Sequence, residues 1–246
     1  MADIDYFDIG EGICLAYRYR PGFGPTLIFL PGYASDMDGG KAVALDSWTA
    51  REGKAMLRFD YAGCGFSSGD FEAQTLHRWR GDVLAMIDEV AAGPVILVGS
   101  SMGGWLMLLA ALARPDRVAG LVGIAAAPDF TSWGFTQEQK STILRDGRLE
   151  EPSPYGEAPY VTTRGFWESG EALRLTHAPI AIDCPVRLLH GQADPDVPWT
   201  WSLELARLIR SADVQMLLVK DGDHRLSRES DLALLIATIS TLTESL

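Results

Sequence analysis

The sequence predicts an α/β fold, a mostly parallel sheet with helices on both faces and one long insertion. Three observations predict it. Short apolar runs bounded by turn residues alternate with helical patterns along most of the chain. One such unit, residues 94–113 (PVILVGSSMGGWLMLLAALA), reads as a buried strand, a turn of small residues and an apolar helix beginning near Met102. The rhythm then breaks once, between about 128 and 179, where Pro, Gly and seven aromatic residues replace any clear strand.

Taken in order, residues 14–20 alternate apolar and polar side chains, the period of an edge strand with one wet face. Residues 26–30 (TLIFL) form a run buried on both sides, ending in Pro31-Gly32-Tyr33. A helix is expected over 41–52, with Val43, Ala44, Leu45 and Trp48 toward the sheet. A strand over 55–59 leads into a glycine-rich loop, and a helix over 76–90 is stopped by Gly93-Pro94. The strand at 95–98 and the helix from Met102 follow. After the breaker at 114–117 comes a strand over 118–125. The alternation resumes beyond the insertion with a strand at 186–189, a helix near 199–210, a strand at 214–219 and a last helix near 231–242. An excursion this long between two core strands reads as an inserted lid rather than a loop. The expected organisation is a core of residues 1–127 and 180–246 with a lid at 128–179.

A net charge of -12 over 246 residues argues against nucleic acid and anionic lipid surfaces as partners. No apolar stretch approaches the ~18 residues of a membrane span. Cys14, Cys64 and Cys184 are odd in number and widely spaced, which argues for a reducing compartment; the acidic N-terminus has no leader pattern. The expected setting is cytoplasmic. No phosphate-binding loop, zinc motif or complete G-x-G-x-x-G is present, so neither a metal nor a cofactor is expected.

The chemistry concentrates at Gly99-Ser100-Ser101-Met102-Gly103, a G-x-S-x-G pattern in a strand-turn-helix context. A serine on so sharp a turn needs small neighbours two residues either side, and Gly99 and Gly103 supply them. A second match, residues 65–69 around Ser67, is followed by no apolar helix and reads as a polar loop. Ser101 is therefore the candidate nucleophile. A serine hydroxyl needs a base and the base an orienting acid. His224 lies after a late strand and is the candidate base; His77 reads as surface, His177 as the end of the lid, and His190 as a packing or hydrogen-bonding residue at a strand end. Asp194 is the preferred acid, with Asp196 its rival and Asp129 a third choice. The backbone N–H groups of Met102 and Tyr33 are the expected oxyanion donors, since Gly32 lets that loop approach. Trp133, Phe135, Phe166 and Trp167 either wall an apolar substrate pocket or form the lid's own core. Trp105 reads as core, and Asp60 as the anchor of the loop at Gly63 and Gly65.

The stretches FLPGYASDM, RFDYAGCGFSSG, LVGSSMGGWLMLLAALARPDRV, CPVRLLHGQADPDVPW and DGDHRLS resemble the α/β-hydrolase superfamily. They are most similar to its mitochondrial acyl-glucuronide esterase and palmitoyl-protein thioesterase branch. The likeness covers nearly the whole chain and thins in the lid. It implies the α/β-hydrolase fold, the triad Ser101, Asp194 and His224, and a bacterial-type relative without a transit peptide. The activity it implies is that of a serine esterase or thioesterase acting on small-molecule or acyl-protein substrates. Pro31 stands where many members of the superfamily have a histidine; the nearer branch shares the proline. A peptidase or carbon-carbon bond hydrolase with the same triad, and a non-enzymatic binding protein of this fold, are the alternatives.

Overall fold

The computed structural model describes residues 2–152 and 159–246, so Tyr155, one of the insertion's aromatics, lies outside the described residues. An eight-stranded sheet forms the centre, built from β1 (Asp5–Asp8), β2 (Cys14–Arg20), β3 (Phe23–Leu30), β4 (Lys54–Phe59), β5 (Val95–Ser100), β6 (Val118–Ile124), β9 (Val186–Gly191) and β10 (Val214–Val219). Their spatial order is β1-β2-β4-β3-β5-β6-β9-β10. β1 and β2 join antiparallel, and every neighbouring pair from β4 to β10 is parallel. β2 is thus an interior strand; its wet-edge pattern misleads because the short, largely exposed β1 covers it and becomes the edge.

The burial of the central strands follows from helices on both faces. On β3, Leu27 and Phe29 pack with Leu45 and Trp48 of α1 (Gly40–Arg51) and with Leu235 and Ile239 of α8 (Glu229–Glu244). Ile28 and Leu30 point the other way, toward α2 (Leu76–Ala85), α3 (Met102–Ala113) and α7 (Thr200–Leu208). Each fully buried Leu, Ile or Phe contributes about 1.5–3 kcal/mol relative to exposure. α1 departs from expectation in its buried set: Val43 and Ala44 are only partly covered, while Ala42, Asp46 and Thr49 are buried. Asp46 is drawn in by two cations, Arg20 at 2.6 Å and the fully buried Arg58 at 3.3 Å. The expected helix over 76–90 ends as a single π-turn at Met86–Val90.

Residues 128–179 connect β6 to β9 and hold more order than the sequence suggests. They contain α4 (Phe130–Trp133), α5 (Gln137–Asp146), α6 (Arg164–Ala172) and an antiparallel pair, β7 (Arg148–Glu151) with β8 (Tyr160–Thr163). The hairpin strands are only four residues each and carry charged and hydroxyl side chains, so they leave no apolar alternation to read. Thr136 and Gln139 close a capping box at the start of α5, and Gly147 ends it at φ +83. Asp129 secures the far end: its carboxylate accepts from the Leu175 and Thr176 amides and the Thr176 hydroxyl. It is a buried clamp and lies outside the Ser101 site.

What positions that site is the crossing of β5 and α3. A Cβ on Gly103 would stand 2.1 Å from the Leu30 carbonyl oxygen, and one on Gly99 would stand 2.4 Å from the Gly103 oxygen. These contacts are with backbone and cannot be relieved by a rotamer change. Gly103→Ala is therefore expected to destabilise the fold by at least about 1–3 kcal/mol in urea unfolding. Gly81→Ala, in α2 with open space around it, is expected to stabilise by about 0.5–1 kcal/mol.

Candidate active site

Ser101 occupies the turn between β5 and α3 at φ 54, ψ -119, a conformation that non-glycine residues rarely adopt. Its amide donates to the Ile124 carbonyl, and its carbonyl accepts from Gly104 and Ala127, so the backbone is fixed from both sides. The side chain is thereby projected away from the sheet at the C-terminal ends of the strands, where ligands bind in parallel α/β folds. Ser101 Oγ lies 3.1 Å from His224 Nε2, and His224 Nδ1 lies 2.8 Å from Asp194 Oδ2. The structure thus brings together one residue from each of three loops, after β5, β9 and β10.

The Asp194 side chain is fully buried. Burial alone would raise its pKa, but hydrogen bonds from His190 and His224 outweigh it and hold the carboxyl below the usual carboxylate range. Its Oδ1 accepts from the amides of Asp196 and Val197. Asp196, the rival acid, is exposed and contributes its amide to Asp194. Asp194, Asp196 and His224 do bring three potential ligand atoms within 4.8 Å of one another. Both oxygens of Asp194 and the Nδ1 of His224 are already engaged in hydrogen bonds, so this is a tied carboxylate rather than a cation cradle.

Tyr33 and Met102, the residues whose amides are the expected oxyanion donors, both line the space over Ser101. Met102 begins α3, so its N–H has no partner within the helix. The loop carrying Tyr33 packs against the turn, where a Cβ on Gly32 would stand 3.4 Å from Ser101 Cβ. The Tyr33 ring is locked in place: its hydroxyl donates to the Val161 carbonyl of β8, and it packs against Phe71, Trp79, Phe130, Tyr160 and Phe166. A cavity of about 840 Å³ opens over Ser101, with Tyr33, Met102, Phe130, Trp133, Phe135 and His224 in its walls. Trp133 stacks on Trp201 at 5.2 Å.

Phe166 and Trp167 are not in those walls, which corrects the expectation for both. Phe166 is buried among Tyr33, Trp79 and Phe130, and Trp167 donates its indole N–H to the Thr131 carbonyl. Both face inward from α6 and serve the insertion's packing. Trp105 is buried as expected. His77 and His177 are exposed, and Asp60 anchors its loop by accepting from the Met37 and Phe66 amides. Ser67 donates to the Asp60 carbonyl and accepts from the Ala16 amide, a buried bracing role.

His190 is the hydrogen-bonding strand-end residue expected, but its partner at the site went unread: it bonds directly to Asp194 as well as to Ser202, and the only signal was its spacing four residues before the acid. One residue at the site escaped the sequence. Lys41 lines the cavity and donates to the Arg225 carbonyl, and burial pushes its ammonium pKa down to about 8. Nothing in the local sequence of α1 marks it.

With this geometry in view, the match of residues 25–148 to the alpha/beta hydrolase fold model has a structural basis: that span runs from β3 through the Ser101 turn into the insertion. The chain belongs to the alpha/beta hydrolase fold family, in the branch that contains the relatives named next. The human palmitoyl-protein thioesterase ABHD10, mitochondrial, is 45% identical over 236 residues, 94% of this chain and 77% of that protein. Its mouse counterpart is 45% identical over 249 residues, 100% of this chain and 84% of that protein. The solved structure of mouse alpha/beta hydrolase domain-containing protein 10 superposes with a TM-score of 0.93 at 44% identity, covering 99% of each chain. A putative hydrolase from Agrobacterium vitis S4 gives 0.92 at 38% identity, covering 99% of this chain and 98% of that one. The chain is thus an enzyme, a hydrolase of the esterase and thioesterase class. The non-enzymatic alternative falls away.

The human and mouse thioesterases also correct the cytoplasmic expectation, because they are named as mitochondrial proteins. Unpaired cysteines argue against an oxidising compartment but do not choose among reducing ones. Among the described residues, no helix is long and apolar enough to cross a membrane.

Cys64, near the Tyr33 loop, is no rival to Ser101. Burial pushes its thiol up to about 12, so almost none is thiolate at pH 8. Iodoacetamide at pH 8 is expected to label Cys64 in the native protein at least about a hundredfold more slowly than a model thiol. Peptide mass mapping over a time course checks this.

Proposed function

We propose that this protein is a serine hydrolase that cleaves carboxylic esters or thioesters through an acyl-enzyme. The observation that carries the reading is the continuous contact from Ser101 Oγ through His224 to the buried Asp194. Ser101 attacks the acyl carbonyl as His224 Nε2 takes its proton. Asp194 accepts from His224 Nδ1, fixes the tautomer that leaves Nε2 free and stabilises the imidazolium without itself becoming protonated. The tetrahedral oxyanion is received by the Met102 and Tyr33 amides, the first of them at the positive end of α3. His224 then protonates the leaving alcohol or thiol and activates water for deacylation.

In this reading residues 128–179 are a lid over a core of 1–127 and 180–246. Trp133 and Phe135 wall the acyl side of the cavity, supported by their place in its lining. A volume near 840 Å³ suits an acyl chain with part of its leaving group. The names of the mitochondrial relatives favour a palmitoyl-type thioester on a protein, and an acyl-glucuronide ester fits the same chemistry.

Two measurements test the reading. Across p-nitrophenyl esters, acyl thioesters and matched amides, the first two are expected to be hydrolysed and the amides left intact; amide cleavage would favour a peptidase. Asp194→Asn is expected to lower kcat by roughly 10³–10⁴ while the fold is retained, because the wrong histidine tautomer is stabilised.

A further inference from the structure

Two histidines converge on one carboxylate oxygen. Asp194 Oδ2 is 2.8 Å from His224 Nδ1 and 3.1 Å from His190 Nε2. His190 has no exposed surface, and its Nε2 also lies 3.1 Å from the Val197 carbonyl. Both neighbours of that nitrogen are acceptors, so Nε2 carries a proton. Nδ1 stands 2.7 Å from the hydroxyl of Ser202, itself buried, which can donate to it in the neutral ring. A line of donors therefore runs from Ser202 of α7 through His190 to Asp194, and meets His224 at the same carboxylate oxygen.

We propose that His190 is a positioning residue for the hydrolysis: it orients the Asp194 carboxylate and takes a share of its hydrogen-bonding capacity, which sets how firmly Asp194 holds the His224 imidazolium. The proposal rests on the triad reading given above. A buried carboxylate divides its negative charge among its donors, and removing one strengthens its interaction with the others. Without His190, Asp194 would hold the protonated His224 more tightly, and the enzyme would need a higher pH to free its base. The titratable groups around the pair are Asp196 on the same loop, Asp223 and Arg225 beside His224, and Lys41 of α1. His190 hydrogen-bonds Asp194, Val197 and Ser202, so its replacement acts on this site through Asp194.

The test is the pH profile of kcat/KM on p-nitrophenyl butyrate, followed at the isosbestic wavelength, for wild type, His190→Leu and His190→Gln, with Ser101→Ala alongside. A glutamine places an amide N–H near the position of Nε2; a leucine cannot donate. His190→Leu is expected to move the acid limb to higher pH by about half to one unit and to lower kcat with little change in KM. His190→Gln is expected to keep the limb where the wild type has it. An unmoved limb in folded His190→Leu, or equal shifts in both variants, would overturn the proposal. Should His190→Leu fail to fold, Ser202→Ala, which weakens the polarisation of the ring, is expected to shift the limb the same way by less. No shift there would overturn it too. Activity surviving in Ser101→Ala would instead remove the triad reading, an outcome separate from these.

Discussion

Ser101 holds a backbone conformation, φ 54 and ψ -119, of a kind that costs on the order of 1–3 kcal/mol, and it persists because everything around it is built to hold it. β3, β5 and β6 bring their C-terminal ends together, and α3 is pressed so close to β5 that only glycine fits at 99 and 103. The same approach brings the Gly32 loop to the serine. Strain at one residue is thus balanced by burial across the sheet, and the result is a hydroxyl at a cavity that Tyr33 and Met102 also line.

Around that serine the electrostatics are arranged by burial and by counted hydrogen bonds. Asp194 lies out of water yet is held as an acceptor by two amides and two histidines. A carboxylate so placed can orient an imidazole without competing for its proton. The insertion completes the surroundings: β8 receives the Tyr33 hydroxyl, α6 fills the space beneath with Phe166, and α4 turns Phe130 and Trp133 toward the cavity. The loop bearing Tyr33 is therefore braced by the same segment that supplies Phe130, Trp133 and Phe135 to the cavity's walls.

Much of this was legible because the core obeys simple periods. The run 26–30 and the glycines at 99 and 103 can be read directly, since a parallel strand covered on both faces leaves no polar alternation and a tight crossing leaves no room for Cβ. The residues of the proposed triad could be picked by order, as each follows a strand end. What escaped reading depends on contacts between distant segments. β1 is only four residues (DYFD), too short to show a period, yet it turns β2 into an interior strand. β7 is too short and too charged, and β8 too short and too rich in threonine, to show an apolar alternation. Phe166 and Trp167 carry the same aromatic character as Trp133, and only the seating of α6 decides which faces the cavity. His190 reads from the sequence as a strand-end packing or hydrogen-bonding residue, and the structure bears that out; its partner Asp194 could not be read because it depends on a loop folding back four residues.

The central claim is that Ser101, activated through His224 and Asp194, is the nucleophile. The most direct measurement is intact-protein mass after incubation with a fluorophosphonate, on wild type, Ser101→Ala and Ser67→Ala. The account requires a single adduct on wild type and Ser67→Ala and none on folded Ser101→Ala. An adduct that survives Ser101→Ala, or no adduct on folded wild type, would contradict it.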